Sequence, residues 1–280
     1  NTTTGDIDGD GSPDIIAGLG TAPQNPSLIA AYKQDGTLIA GSKVKALRTY
    51  YGARVAAADF NGDSRAETVV GSGTGPGVPS YVTVYSYTSG KNAGTGLSFK
   101  PFDLPGGVNV AAGDVDGDGV ADLITSSGAN SSAGSRVRVW KVDASKVPWT
   151  AVKTAIDFVP FPKRCGLGLA TGDINGDGKD EMIVAGGPDP KGGPNTVKVF
   201  NGDGSDFGLE INIGSTGYSL GVASADLDLD GVSEIITVAG KAGYPSNIKI
   251  YKGDGTLFRS FDVLPGACYN GTVSTGDLGY

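Results

Sequence analysis

Short apolar runs rich in β-branched residues recur along this chain in a fixed order, separated by polar, glycine-rich segments. One kind occupies residues 53–58, 108–112, 167–171 and 220–224, and a second follows at 14–18, 67–71, 122–126, 181–185 and 234–238. A third kind, at 27–32, 81–85, 136–140, 196–200 and 247–251, alternates apolar and polar residues, the period of a half-buried strand. In three units an Asp-Gly pair then predicts a hairpin (Asp35-Gly36, Asp203-Gly204, Asp254-Gly255), with the outer strand expected through 38–40, 207–209 and 257–261. No long amphipathic helical period competes with these runs. Four antiparallel strands in a unit of ~50 residues make a β-propeller blade. The pattern therefore predicts an all-β fold, a propeller of five complete four-stranded blades and the start of a sixth. The units cover about 1–50, 51–105, 106–163, 164–217 and 218–267, with a partial one at 268–280, and form one domain over 1–280.

Between the first and second strand of each unit lies an acidic loop. Oxygen-bearing side chains stand at loop positions 1, 3, 5 and 9: Asp6/Asp8/Asp10/Asp14, Asp59/Asn61/Asp63/Glu67, Asp114/Asp116/Asp118/Asp122, Asp173/Asn175/Asp177/Glu181 and Asp226/Asp228/Asp230/Glu234. A sixth copy starts at Asp277, three residues before the last one, Tyr280, and has Gly279 at position 3, so no ion is expected there. A hard dication such as calcium takes about 6–8 oxygens at ~2.3–2.6 Å, which alternate residues of a short loop supply. Position 7 would add the backbone carbonyl of Ser12, Arg65, Val120, Lys179 or Val232. Position 6 is glycine except for Ser64, where the site is expected to be weaker. A single such segment can be an Asx-turn without an ion. Five at one period argue for a cation, since three or four carboxylates within nine residues repel one another without one. The strand that follows, and the closing acid at position 9 rather than 12, separate these loops from EF-hands.

These residues resemble the FG-GAP/VCBS-type repeats of integrin α-subunit-like β-propellers, whose signature is a strand, a D-x-[DN]-x-D-G-x-x-[DE] loop and a second short strand. The resemblance runs along essentially the whole chain and implies up to five calcium ions on the residues just named. It implies less about activity, because such propellers serve as adhesion domains, lectins, polysaccharide-binding or polysaccharide-cleaving proteins and surface modules. Both ends carry a first strand and loop start. Either the chain is part of a longer six- or seven-bladed molecule, which is the expectation, or the C-terminal strand closes the ring beside the N-terminus.

Composition narrows the function classes. The net charge is -8, and 18 of the 30 acids sit at ligand positions, so five dications would bring the formal charge to +2. Acidity here is an ion-binding device, and the absence of basic tracts excludes a nucleic-acid binder. No run of 18 apolar residues predicts a membrane span. Multi-carboxylate loops of modest affinity fill only at high free calcium, which points to an extracellular or cell-surface, secreted protein. The resemblance, without the insertions and cysteines of an animal integrin ectodomain, makes a bacterial protein the expectation. With no histidine, Ser-His-Asp and Cys-His chemistry is impossible. Eleven acids outside the loops (Asp35, Asp103, Asp143, Asp157, Asp180, Asp189, Asp203, Asp206, Glu210, Asp254, Asp262) read as turn residues and solvated surface charge, so no catalytic residue is expected. Cys165 and Cys268 occupy equivalent places in non-adjacent blades, too far apart to expect a disulfide. Sequons at Asn1, Asn130 and Asn270 predict exposure only.

Strand alternation puts the acidic loops and the Asp-Gly hairpins on one face. The opposite face collects the long Gly/Pro-rich connections, with Tyr50, Tyr51, Tyr218 and Tyr269 at the blade entries, and is where a protein or glycan partner is expected. The leading expectation is an adhesion or scaffold module, possible as a subunit of a larger assembly. The alternatives are a lectin-like glycan-binding module and a calcium-assisted polysaccharide lyase.

Overall fold

The computed structural model describes residues 1–128, 135–162, 166–186, 194–216, 220–241, 244–263 and 273–275. These residues form twenty strands and no helix. Blade one holds β1 (Thr2–Gly5), β2 (Asp14–Gly18), β3 (Pro26–Tyr32) and β4 (Val44–Tyr50), and blade two β5 (Ala53–Ala58), β6 (Glu67–Ser72), β7 (Val82–Thr88) and β8 (Lys91–Phe99). Blade three holds β9 (Val108–Gly113), β10 (Asp122–Ser127), β11 (Ser135–Asp143) and β12 (Thr150–Phe161). Blade four holds β13 (Gly168–Gly172), β14 (Glu181–Ala185), β15 (Pro194–Phe200) and β16 (Asp206–Thr216), and blade five β17 (Leu220–Ala225), β18 (Glu234–Lys241), β19 (Tyr244–Tyr251) and β20 (Leu257–Val263). Every sheet is a four-stranded antiparallel meander in chain order.

One predicted strand is displaced. The outer strand of blade one is β4, not residues 38–40: Leu38 makes only a single bridge, to Tyr32. Ile39 N–H still donates to the Ala31 carbonyl, but the Ser42 hydroxyl accepts from the Ala31 N–H, the donor a continuing fourth strand would need.

Apolar clusters fill the spaces between blades, and a residue at loop position 2 is a buried member of four of them. Ile7 packs with Val55 and Ala57 of the next blade, Phe60 with Val108 and Trp140, Val115 with Met182 and Val184, and Ile174 with Val222 and Ile235. All four anchors are at most 2 % exposed. Leu227, the equivalent in blade five, is 45 % exposed, and no described blade packs against it. The first four loops are thus nailed between blades by their own second residue.

The innermost strands surround an axial channel of about 220 Å³ lined by β1, β5, β9, β13, β17 and residues 273–275. Hydroxyls two residues before the loop acid link neighbours around it. Thr171 donates to the Ala112 carbonyl, Ser224 to Thr171, Thr275 to Ser224 and Thr4 to Thr275. Residues 273–275 therefore stand where another blade's inner strand would lie. Cys165, Cys268, Asn130, Asn270, Asp189, Tyr218, Tyr269 and the sixth loop at Asp277 fall outside the described residues. Asn1 is half-buried rather than exposed: its amide donates to the Ala53 carbonyl and accepts from Arg54.

Candidate metal centres

All five loops share one geometry, and the backbone creates it. The carboxylate at position 1 accepts the N–H of position 6 in every copy, at 2.8 Å for Asp6, Asp59 and Asp173, 2.7 Å for Asp114 and 2.9 Å for Asp226. In four copies it also accepts from position 4. The acid at position 5 accepts from position 7, so Asp10, Asp63, Asp118, Asp177 and Asp230 fix Ser12, Arg65, Val120, Lys179 and Val232. These are Asx-type turns, and they hold the side chains in place with lone pairs to spare.

Such a winding needs left-handed backbone at two places, not only at position 6. Position 4 has φ near 77° at Gly9, Gly62, Gly117 and Gly176, and the fifth copy forces Leu229 to φ 61° with its side chain 87 % exposed. A left-handed residue with a Cβ costs ~1–2 kcal/mol. Leu229→Gly is therefore expected to raise stability by about 1 kcal/mol, read from chemical denaturation.

The acid at position 9 is the buried member: Asp14, Glu67, Asp122 and Glu234 are fully buried and Glu181 is 2 % exposed. One of its oxygens accepts the N–H of position 2, from Ile7, Phe60, Ile174 and Leu227 in four copies. Because Ile7, Phe60 and Ile174 are also inter-blade anchors, in loops one, two and four the same residue that packs the core aims the acid's other oxygen at the loop centre. What meets that oxygen depends on the copy. In loops one, three and five it is the ammonium of Lys33, Lys141 and Lys252, at 3.2, 3.1 and 2.9 Å. In loops two and four it is the side-chain amide of Asn61 (2.7 Å) and Asn175 (3.0 Å).

Electrostatics follow this division. Burial pushes Glu67 and Glu181 up to about 7. Burial also raises Asp14, and takes Asp122 to about 6 although Lys141 stands beside it, so desolvation outweighs the ion pair there. For Lys33 and Lys141 burial alone would lower the pKa, but the hydrogen bonds to three carboxylates hold it above the ordinary value. Lys252 is raised first by its bond to Asp228, then by Glu234.

Among the described residues, three sets of acids have ligand oxygens within 4.8 Å of one another and could hold a metal ion: Asp6/Asp8/Asp10, Asp114/Asp116/Asp122 and Asp226/Asp228/Asp230. The donor set is all oxygen, which suits a hard cation. The loops are also tied to one another, since the N–H at position 8 donates to the position 1 carbonyl of the preceding loop at Ala66 to Asp6, Asp180 to Asp114 and Ser233 to Asp173.

Two acids expected to be solvated are not. Asp180 sits half-buried between loops three and four, and burial raises it to about 6. Asp157 is clamped by Arg136 at 2.6 Å, Lys153 at 2.7 Å and Arg138 at 3.1 Å; burial raises it, but these bonds keep it below the usual carboxylate range. The hairpin acids Asp35, Asp203 and Asp254 each accept the N–H two residues on, as their turn role requires.

On the opposite face, a cavity of about 610 Å³ opens between blades one and two, lined by Arg48, Tyr50, Tyr51, Pro76, Pro79 and Tyr81. Tyr50 is 58 % exposed and Tyr51 has φ 68°.

The chain resembles known proteins in two ways. The FG-GAP-like repeat matches residues 6–70 and 173–237, and the FG-GAP repeat matches 106–140. Comparison with curated protein sequences gives no match. Among solved structures, rhamnogalacturonan lyase PL11 of Bacillus licheniformis aligns over 94 % of this chain and 50 % of its own, at 17 % identity and TM-score 0.54. The exotype rhamnogalacturonan lyase YesX aligns over 96 % and 49 %, at 19 % identity and TM-score 0.53. Rhamnogalacturonan lyase YesW aligns over 93 % and 57 %, at 17 % identity and TM-score 0.50. The chain spans about half the length of these enzymes, and at such identities the likeness is one of fold. With the repeat matches falling on the acidic loops and the strands around them, the chain belongs to the FG-GAP-repeat β-propellers.

Proposed function

We propose that the chain is a calcium-stabilised propeller acting outside the cell as an adhesion or scaffold module. The observation that carries this reading is the buried acid at position 9, present five times, with one oxygen held by the position 2 N–H in four copies and the other aimed into an all-oxygen loop. Calcium would be held by the side chains at positions 1, 3, 5 and 9 with the carbonyl at position 7, and its charge would neutralise acids that burial otherwise penalises. The reading as a non-enzyme rests on the lack of histidine and on Asp157 and the hairpin acids being committed to structural bonds. Calcium titration followed by calorimetry tests it: saturable uptake in the micromolar to millimolar range is expected, with magnesium binding far more weakly. Absence of uptake would remove the calcium role.

The pH dependence is distinctive. In chelator, Glu67 and Glu181 have folded pKa values of about 7, above their unfolded values, so their contribution to stability is present while they are protonated and is lost as pH rises through 7. Calcium has to displace those protons. Affinity at loops two and four is therefore expected to fall roughly tenfold per pH unit below about 7, and titrations at about pH 5.5 and 7.5 check it.

A second reading is favoured by the tyrosine cavity. At about 610 Å³ it falls within the ~300–1,000 Å³ range of small-ligand sites, and flat aromatic rings beside Arg48 suit stacking against sugar rings. The fold neighbours that act on rhamnogalacturonan add a reason to try plant polysaccharides first. Saturable glycan binding lost on Tyr50→Ala would favour a lectin-like module, and unsaturated product from rhamnogalacturonan would favour a lyase. A glycan array without signal, with intact calcium uptake, leaves the scaffold reading alone.

A further inference from the structure

The five loops are not equivalent. Strand register places one residue opposite each position 9: Ile15 pairs with Tyr32, Thr68 with Tyr85, Leu123 with Trp140, Met182 with Phe200 and Ile235 with Tyr251, so the next residue faces the buried acid. Those next residues are Lys33, Ser86, Lys141, Asn201 and Lys252. Lysine occurs where position 3 is Asp (Asp8, Asp116, Asp228) and a neutral residue where it is Asn (Asn61, Asn175). Counting only the ligand carboxylates and the residue that faces position 9, four carboxylates with one ammonium and three carboxylates alone both leave a formal charge of three minus.

Each ammonium touches three of the four side chains that a metal would use, those at positions 3, 5 and 9. Lys33 reaches Asp8 and Asp10 at 2.7 Å and Asp14 at 3.2 Å, and Lys141 reaches Asp116 and Asp118 at 2.9 Å and Asp122 at 3.1 Å. Lys252 contacts Asp228, Asp230 at 3.4 Å and Glu234 at 2.9 Å. An ammonium and a dication sharing those oxygens would repel at contact distance, so they exclude each other. In loops two and four the donor to the buried acid is a neutral amide, and among the described residues no ion pair to a lysine reaches Glu67 or Glu181.

We propose that Lys33, Lys141 and Lys252 are built-in counter-cations competing with divalent metal for loops one, three and five, whereas loops two and four rely on an external ion. This rests on the calcium reading above, and it divides the chain into three lysine-bridged joints and two ion-dependent ones.

Equilibrium dialysis with calcium, together with melting in EDTA, tests it on the full chain. Wild type is expected to take up two ions tightly, loop two included because Ser64 reaches the left-handed backbone (φ 66°) that glycine supplies elsewhere, and the rest at least tenfold more weakly. Lys33→Met, Lys141→Met and Lys252→Met should each convert one weak site to a tight one while lowering the melting temperature in EDTA by roughly 5 °C, restored by calcium. The exchange in reverse, Ser86→Lys with Asn61→Asp, adds a lysine without removing one, so it guards against variants that fail to fold. It should abolish one tight site and reduce sensitivity to EDTA. Five equal sites in wild type, unchanged by Lys→Met, overturn the competition and keep calcium. Uptake by neither wild type nor any variant overturns the calcium reading and the competition together, and the EDTA melting of the lysine variants then reports the ion pairs by themselves.

Discussion

EDTA at about pH 7.5 is expected to lower the melting temperature by roughly 6–12 °C relative to ~1 mM calcium. A site with a dissociation constant near ~0.1 mM contributes about 1.4 kcal/mol under that condition. Loops two and four, where no lysine stands in, then supply about 3 kcal/mol, and a chain of this size moves by ~2–4 °C per kcal/mol. If all five loops filled without competition the total would approach ~7 kcal/mol and the shift would more than double. Scanning calorimetry with and without chelator distinguishes these sizes, and an unchanged midpoint would mean that the loops hold together without metal.

Phe60→Ala is expected to cost about 3–5 kcal/mol, the range for deleting a buried aromatic side chain. Phe60 is 2 % exposed and packs in the cluster that includes Val108, Val110, Leu123 and Trp140 of blade three. Its backbone N–H also holds Glu67, so the cavity left behind loosens the acid that closes loop two. Denaturant unfolding in excess calcium would report the packing loss, and calcium titration of the variant should show one tight site weakened while loop four is unaffected. Asp35→Ala, which removes only an exposed turn acceptor, makes a suitable control with a far smaller effect.

The loops and most strands were legible because their signals are local. Ligand spacing is set within nine residues, and the period-two alternation of β3, β7, β11, β15 and β19 needs no knowledge of neighbours. What escaped depends on register or on competition. Lys33, Lys141 and Lys252 follow an aromatic residue at the end of the third strand, a pattern visible in the sequence, but only the pairing of Ile15 with Tyr32 and its equivalents shows that they face the buried acid. The strand assigned to 38–40 failed because Ser42 satisfies the Ala31 N–H, a side-chain bond that outbids propensity. The second left-handed position was readable from Gly9, Gly62, Gly117 and Gly176, and Leu229 concealed it in the fifth copy. Asp180 looked like surface charge because nothing local marks the approach of the neighbouring loop at Asp114.

Arrays of like units usually melt piecemeal, each repeat leaving when its own contacts fail. Here the carbonyl of an acidic residue in one blade receives a peptide N–H from the next, at Asp6, Asp114 and Asp173. Fraying one joint thus strips a partner from its neighbour, and the wheel should come apart in a single step rather than spoke by spoke.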